Sequence, residues 1–496
     1  MNSNIDINNW IKDRIKQDEV DKFLKNGKDF INEQKIQNIL KSATIPDKSR
    51  VMDILDKSMA IETLSAEETG YLLKVKDKDL LALMRETGAK IKKKVYDNRV
   101  VTFAPLYMGN FCVNDCLYCG FRSANKTKRD VLSTQKIKKE IEILAGEEGH
   151  KRLIVVYGEH PTTDVNYIKK TLKTIYSVKV KTKKGFGGIR RANVNAAPMS
   201  INELKILNNA GIGTYQVFQE TYHKETYSRI HPKGTIKSDY YWRLYTMHRA
   251  FEAGIDDVGI GALFGLYDWK YEVLALVLHS NELENRYEIG PHTISFPRLE
   301  PAFNAPWSIK SKFRVKDEDF LRLITILRLA VPHTGLIVTC RETPQIKKEA
   351  ILLGCTQTDA STKIGVGSYA QHRKIQNIKD QQFTLGDTRS LQQMIEEFIE
   401  MGFITSFCTA GYRCGRTGKC ILDLLRSGEE GKFCKLNAIL TFREWLDDFA
   451  STTVKKKGEK LLEKEIYEIK KKMPKVYPKL IEQYNRIKNG ERDIYF

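Results

Sequence analysis

From about residue 100 to residue 370, short β-prone runs alternate with stretches long enough for a helix, and no other feature of the chain constrains its fold as strongly. The runs are Val100 to Leu106, Leu153 to Tyr157, Ala192 to Ala196, Tyr215 to Gln219, Asp257 to Ala262, Thr293 to Phe296, Gly335 to Thr339 and Ala360 to Gly365. Helical spacing fills the intervals at Lys136 to Ala145, Val165 to Ile175, Asn202 to Ala210, Asp239 to Ala253, Tyr271 to Asn285 and Asp317 to Leu329. Parallel strands need a crossover, and this alternation supplies one each time. Eight such units predict an α/β fold closed into a (β/α)8 barrel of the TIM type, with chemistry in the loops that follow the strands.

The flanks differ from this core. Residues 1–95 show helical spacing, as in Val20, Phe23, Leu24, Phe30 and Ile31, and predict a helical N-terminal region. The barrel is placed at 96–370, a mainly helical, cysteine-bearing domain at 371–450 and a basic helical tail at 451–496. That tail holds 13 Lys and Arg against 7 Asp and Glu. It reads as a solvated amphipathic helix, with docking of an acidic partner as the other reading.

Charge and apolar content exclude some classes. The longest apolar candidate, Val258 to Tyr267, is too short to cross a bilayer and is flanked by Asp256, Asp257 and Asp268. With no leader pattern at the N-terminus, a cytoplasmic location is expected. A net charge of +20 invites nucleic acid, but no recognised RNA- or DNA-binding motif accompanies it.

Nine cysteines that cluster rather than spread point to metal or redox chemistry and not to a disulfide framework. Cys112, Cys116 and Cys119 form a C-x3-C-x2-C group in the loop after the first predicted strand; Cys408, Cys414, Cys420 and Cys434 form a second group. Three thiolates are one short of closing a zinc site or a four-iron cluster, and no fourth Cys or His lies within thirty residues. Either an iron–sulfur site keeps one iron open, or zinc recruits a distant ligand, or the thiols are structural.

The C-x3-C-x2-C spacing with Tyr118 before the last cysteine, opening a predicted eight-unit barrel, resembles the radical S-adenosylmethionine (SAM) superfamily. The resemblance implies that Cys112, Cys116 and Cys119 hold a [4Fe-4S] cluster whose free iron binds SAM, with Tyr118 near the adenine. It implies that Glu159, in Y-G-E-H-P at 157–161, accepts from the methionine amino group. The stretches I-R-R-A-N-V-N-A-A-P (189–198), G-T-Y-Q-V-F-Q-E-T-Y-H (213–223), R-I-H-P-K-G (229–234), G-I-G-A-L-F-G-L-Y-D-W (259–269) and G-P-H-T-I-S-F-P-R (290–298) are similar to the aromatic amino-acid lyase branch. Within it they most resemble the HydG family of [FeFe]-hydrogenase maturation and, more distantly, the ThiH family of 2-iminoacetate synthases. Glu220 in the second stretch is then a cofactor-binding residue. The implied reaction splits the Cα–Cβ bond of L-tyrosine into p-cresol and dehydroglycine, which a second, C-terminal iron–sulfur cluster turns into CO and cyanide for hydrogenase assembly. Implied partners are flavodoxin or ferredoxin as electron donor, and other hydrogenase maturation proteins.

Several residues depart from that pattern. In F-C-T-A-G-Y-R-C-G-R-T-G-K-C (407–420), Cys408 matches a ligand of the second cluster, and Cys434 matches another, but Gly411 stands at the middle ligand position. Cys414, three residues on, is the candidate replacement, and loss of the cluster or a different metal are the alternatives. His279 is kept from a family H-x-x-H pattern whose histidine is expected to ligate the extra iron, while Glu282 fills the second place. T-Q-T-D-A-S-T at 356–362 lacks the serine- and glycine-rich character expected there. Arg341 is the candidate clamp for a substrate carboxylate because its guanidinium is a bidentate fork; pairing with Glu342 is the structural alternative.

Overall fold

The computed structural model describes residues 6–42, 44–371, 377–427 and 429–496. Eight parallel strands follow one another round a barrel: β1 Arg99–Gly109, β2 Arg152–Tyr157, β3 Arg191–Asn195, β4 Tyr215–Gln216, β5 Val258–Gly261, β6 Thr293–Ser295, β7 Gly335–Val338 and β8 Gln357–Asp359. Closure is made by β1, which pairs with β2 along one edge and with β8 along the other, at Val101↔Gln357 to Phe103↔Asp359. A ninth strand, β9 (Ile404–Ser406), joins the N-terminal end of β1 outside the closed ring, with Val101 opposite Ser406.

Helices cover the outside as the alternation predicts. The crossovers include 134–142, 165–177, 201–209, 269–287 and 317–330, each started by a side chain suited to an orphaned backbone N–H or by acids that favour the helix dipole. Asp164 accepts from Tyr167 N, and Ser200 with Glu203 closes a capping box. Helices 33–41 and 66–72 of the N-terminal region pack on helix 269–287, and 78–96 packs on 317–330. At the other end of the chain, helix 429–448 lies on β9 and carries the tail helices 452–472 and 477–488 on its outer side. Among the described residues no helix is long and apolar enough to cross a membrane.

Two predicted elements are corrected. The eighth strand is not Ala360 to Gly365 but Gln357–Asp359. The chain leaves the barrel at Ser361, whose φ of +54° is a left-handed conformation no strand accommodates, and Ser361 N turns out to Arg389 O. The helix expected over Asp239 to Ala253 is broken at Tyr245 into 240–244 and 246–252. The tail is helical as expected, and part of its charge is satisfied internally: Lys455 pairs with Asp447, and Lys457 with Glu396 and Glu400.

Candidate radical active site

The loop after β1 carries Cys112, Cys116 and Cys119 to the C-terminal mouth of the barrel, where all three line a cavity of about 240 Å³. Phe103, Ile154 and Ile337 form its apolar floor inside the barrel. The loop is held by backbone bonds to its surroundings: Val113 N to Glu159 O, Leu117 N to Ile230 O and Gly120 N to Gln382 O. All three thiols are free, and two of the sulfurs receive N–H groups: Asn114 Nδ2 lies 3.7 Å from Cys112, and Phe121 N and Gln382 Nε2 lie 3.4 and 3.6 Å from Cys119. Burial pushes the Cys116 thiol up to about 12, a cost that coordination by a cation would remove. Among the described residues no three His, Cys, Asp or Glu side chains converge tightly enough to hold a single metal ion. Three thiols spread round one cavity suit a polynuclear body better than a lone zinc.

Polar groups link the two sides of this loop. Glu159, just past β2, accepts from Asn114 Nδ2 at 2.6 Å through one carboxylate oxygen, while Oε1 is buried without a hydrogen-bond partner. Asn114 Oδ1 accepts from Lys237 N at 2.9 Å, and Lys237 Nζ reaches Glu220 at 2.7 Å with Arg243 at 3.3 Å on the same oxygen. Burial opposes ionisation of Glu220, but Lys237 and Arg243 outweigh it and hold the carboxyl below its usual range. Glu220 has φ +71°, the kind of backbone strain that functional sites retain. Tyr118 points its hydroxyl at His231 Nε2, 3.0 Å away, so R-I-H-P-K-G serves the cysteine loop directly. Sequence motifs do not single out Asn114, Lys237, Arg243 or Gln382, which the fold brings to this site; only the R-I-H-P-K-G stretch, which carries no assigned role, points toward them.

Arg341 lies just past β7 in the cavity wall, its guanidinium 3.4 Å from the Phe383 ring, donating only to Arg298 O at 3.3 Å. Glu342 turns the other way and forms a fork with Arg298. Arg341 therefore has no carboxylate partner among the described residues, and burial draws its pKa down. Asp359 at the end of β8 also lines the cavity, as do Gln382 and Phe383, which the predicted boundary at 370 assigned to the C-terminal domain.

Gly158 separates β2 from Glu159, and a Cβ there would lie inside contact distance of the Phe111 carbonyl, one residue before Cys112. Gly158→Ala is expected to displace the cysteine loop and lower the iron retained on reconstitution to well under half the parental content, while leaving the far-ultraviolet circular dichroism unchanged.

The second cysteine group sits at the opposite mouth. Cys408 follows β9 with φ +46°, and the Cys434 thiol bonds to it. That bond, with the Arg152 guanidinium and His292 nearby, holds Cys408 well below the ordinary cysteine range although burial opposes it. Tyr412 plugs the barrel end: its hydroxyl meets Thr214 Oγ1 and Arg152, both at 3.2 Å, and Arg191 stacks on its ring at 3.9 Å. Gly411 lines the Cys408–Cys434 hollow, but Cys414 and Cys420 do not. The exposed Cys414 instead bonds Phe496 O at 3.4 Å, so the expected substitution of Cys414 for the missing ligand is not made in this arrangement. His279 is also placed away from both cysteine groups. It faces outward from helix 269–287, bonded to Tyr222 Oη at 2.8 Å and packed on Phe30, and burial lowers its pKa to about 3. Glu282 pairs with Arg286 at 2.9 Å. Among the described residues neither joins a metal-binding group; both lie beside His248 on the face turned toward the N-terminal helices.

Residues 106–277 match the model of the radical SAM superfamily, and 295–404 match the Biotin and Thiamin Synthesis associated domain. A crystal structure of HydG, a maturase of the [FeFe]-hydrogenase, is 43% identical, with a TM-score of 0.89 over 94% of this chain and 100% of that one. The chain belongs to the radical SAM superfamily, in its HydG and ThiH group. HydG from Carboxydothermus hydrogenoformans is 33% identical with a TM-score of 0.74, covering 92% of this chain and 96% of that one. The 2-iminoacetate synthase of Salmonella typhimurium is 30% identical over 64% of this chain and 80% of its own length.

A radical SAM enzyme implies a [4Fe-4S] cluster and SAM, and the first site fits both. Three free thiols in one cavity, with N–H groups on the sulfurs of Cys112 and Cys119, suit a cluster of this kind. The orphaned Glu159 Oε1 is an acceptor waiting for a donor such as an amino group.

Proposed function

We propose that this radical SAM enzyme is a lyase that splits the Cα–Cβ bond of L-tyrosine into p-cresol and dehydroglycine. The observation that carries the reading is the Arg341 guanidinium, without a carboxylate partner among the described residues, in the same cavity as the three cysteines and Glu159. Cys112, Cys116 and Cys119 would hold the cluster and Glu159 the SAM amino group; together the two cofactors supply reductive cleavage of a carbon–sulfur bond and so a carbon-centred hydrogen abstractor. Arg341 offers a fork for the amino-acid carboxylate, and Phe383 stacked on it keeps the fork flat and dry. Tyr118, locked by His231, closes the cysteine side of the cavity. Glu220, held ionised by Lys237 and Arg243, is fixed as an acceptor on the wall between them.

Arg341→Lys keeps the charge and loses the fork. A charge-assisted bond of about 2 kcal/mol is at stake, so KM for tyrosine should rise roughly thirtyfold, with a far smaller effect on SAM cleavage in the absence of tyrosine.

We read the reaction as stopping at dehydroglycine. Two thiols, Cys408 and Cys434, share the second hollow, and the position between them is glycine. Conversion to CO and cyanide for hydrogenase assembly is the longer reading, and it would bring hydrogenase maturation proteins in as partners. Anaerobic reconstitution with iron and sulfide, followed by SAM, dithionite and L-tyrosine, separates these outcomes. The expected products are 5'-deoxyadenosine, p-cresol and glyoxylate from hydrolysis of dehydroglycine. Appearance of CO and cyanide overturns the shorter reaction, and absence of any tyrosine-dependent product overturns the substrate.

A further inference from the structure

The cysteine loop is roofed by two other segments, and all three are tied together. Trp307 N donates to Leu117 O at 2.9 Å, Asn125 Nδ2 to Phe303 O at 2.8 Å and Arg122 to Asn304 O at 3.4 Å. From the other side Gly120 N donates to Gln382 O, and Lys379 lies over the Phe303 ring at 5.9 Å. Trp307 packs on the apolar group that contains Cys116 and Cys119, with its indole N–H buried and without a hydrogen-bond partner.

The outer face of the roof has the composition of an interface. Ile309 and Ile378 are 65% and 39% exposed, two of the few large apolar side chains left in solvent. Lysines stand beside them: Lys310 and Lys312 flank Ile309, Lys379 follows Ile378, and Lys126 and Lys128 rise from the cysteine loop itself. All five lysines are exposed, and none has a carboxylate partner among the described residues. The loop's two acids are paired within the chain, Asp115 by a two-pronged bond from Arg122 at 2.6 Å and Asp130 by Lys136 at 2.7 Å. In the tail, by contrast, Lys455 and Lys457 are paired within the chain. Exposed apolar side chains beside lysines that lack carboxylate partners fit a protein of the opposite sign, which such a field also steers into place.

We infer that this roof is the docking face of an acidic electron-carrier protein, which seats on Ile309 and on the lysines of the three tied segments, Lys126, Lys128, Lys310, Lys312 and Lys379, and passes single electrons inward past Trp307. The inference rests on the cluster site proposed above, and it places the carrier on the barrel mouth and not on the Lys-rich tail.

The test uses the reconstituted holoenzyme with Lys126→Glu, Lys310→Glu and Lys312→Glu combined, and reads 5'-deoxyadenosine formed with two reductants. With a purified reduced ferredoxin at low salt, the rate should fall at least tenfold, and the decline with added salt seen in the parent should flatten. With dithionite, which needs no docking, the rate should match the parent. Lys456→Glu with Lys460→Glu in the tail should change neither. A ferredoxin-driven rate within twofold of the parent overturns the docking face, as does a fall caused equally by the tail pair. If charge reversal harms the dithionite rate as well, the three Lys→Gln changes are used, and an unchanged ratio of ferredoxin to dithionite rates overturns the inference. Failure of the parent itself to cleave SAM with dithionite is a different result: it refutes the cluster site on which the docking face depends.

Discussion

Cys116→Ser is expected to end SAM cleavage, with 5'-deoxyadenosine falling to the level seen without enzyme and the bound iron lost on desalting. Cys116 is the buried member of the three, surrounded by Tyr118, Ile230, Leu263, Leu266 and Leu299. Cys119, the other thiol of that apolar group, is already one of the three ligands and cannot take over, and a serine hydroxyl is a hard, protonated ligand in a place where burial already opposes charge. The chain should stay folded, since one Sγ to Oγ exchange changes little volume. Cys355→Ser is the control: Cys355 is equally buried but lies outside the cavity, so iron and activity should be retained. If Cys116→Ser keeps its iron and still cleaves SAM, the three-cysteine site is wrong.

Gly411→Cys is expected to have the opposite kind of effect, a gain. Gly411 starts no left-handed turn; it lies in the short helix 410–413, and a Cβ there would touch only Arg416 O at 3.5 Å and Arg416 Cβ at 4.0 Å. A cysteine therefore enters without strain, in the same hollow as Cys408 and Cys434. Thiolate formation is already favoured there by Arg152. Reconstituted Gly411→Cys should hold roughly four more irons per chain than the parent and show a second paramagnetic cluster on reduction. The products that distinguish the longer reaction, CO and cyanide, are then expected from the variant alone. Adding Cys408→Ala should abolish the gain. Equal iron in parent and Gly411→Cys would mean that the hollow does not take a cluster, or that Cys414 already completes one.

The two sites stand at opposite ends of β1. With Val101 beside β9 and Gly109 leading into the cysteine loop, eight steps of about 3.3 Å separate them by on the order of 25 Å. A fragment made at one end would have to pass through or round the barrel to reach the other. The proposed release of dehydroglycine needs no such passage, whereas conversion to CO and cyanide at the far hollow does.

What is legible in the sequence is what depends on local order. The period of strands and helices is local, and it places seven of the eight barrel strands, the crossovers and the helical flanks. Ligand spacing within one loop is local too, so Cys112, Cys116 and Cys119 stand out from the order of residues alone, while Glu159 is picked out by the family resemblance. The eighth strand is misplaced by a few residues because T-Q-T-D and A-S-T-K-I-G are similarly β-prone, and only the positive φ at Ser361 decides between them.

Long-range geometry decides the rest. Arg341 and Glu342 are neighbours in sequence, yet the wall of β7 turns one into the cavity and the other to Arg298. His279 is a polar residue in a suggestive pattern, but its helix faces the N-terminal region, where Phe30 and Tyr222 enclose it. Cys414 is closer in sequence to Cys408 than Cys434 is, but Cys434 is the one that touches it, because helix 429–448 folds back across β9. Sequence alone thus determined the alternation, the barrel and the three-cysteine loop, since each βα unit and the loop are written within a few dozen consecutive residues. Which distant side chains share a cavity was decided only when the packing of helices on the closed sheet brought them together.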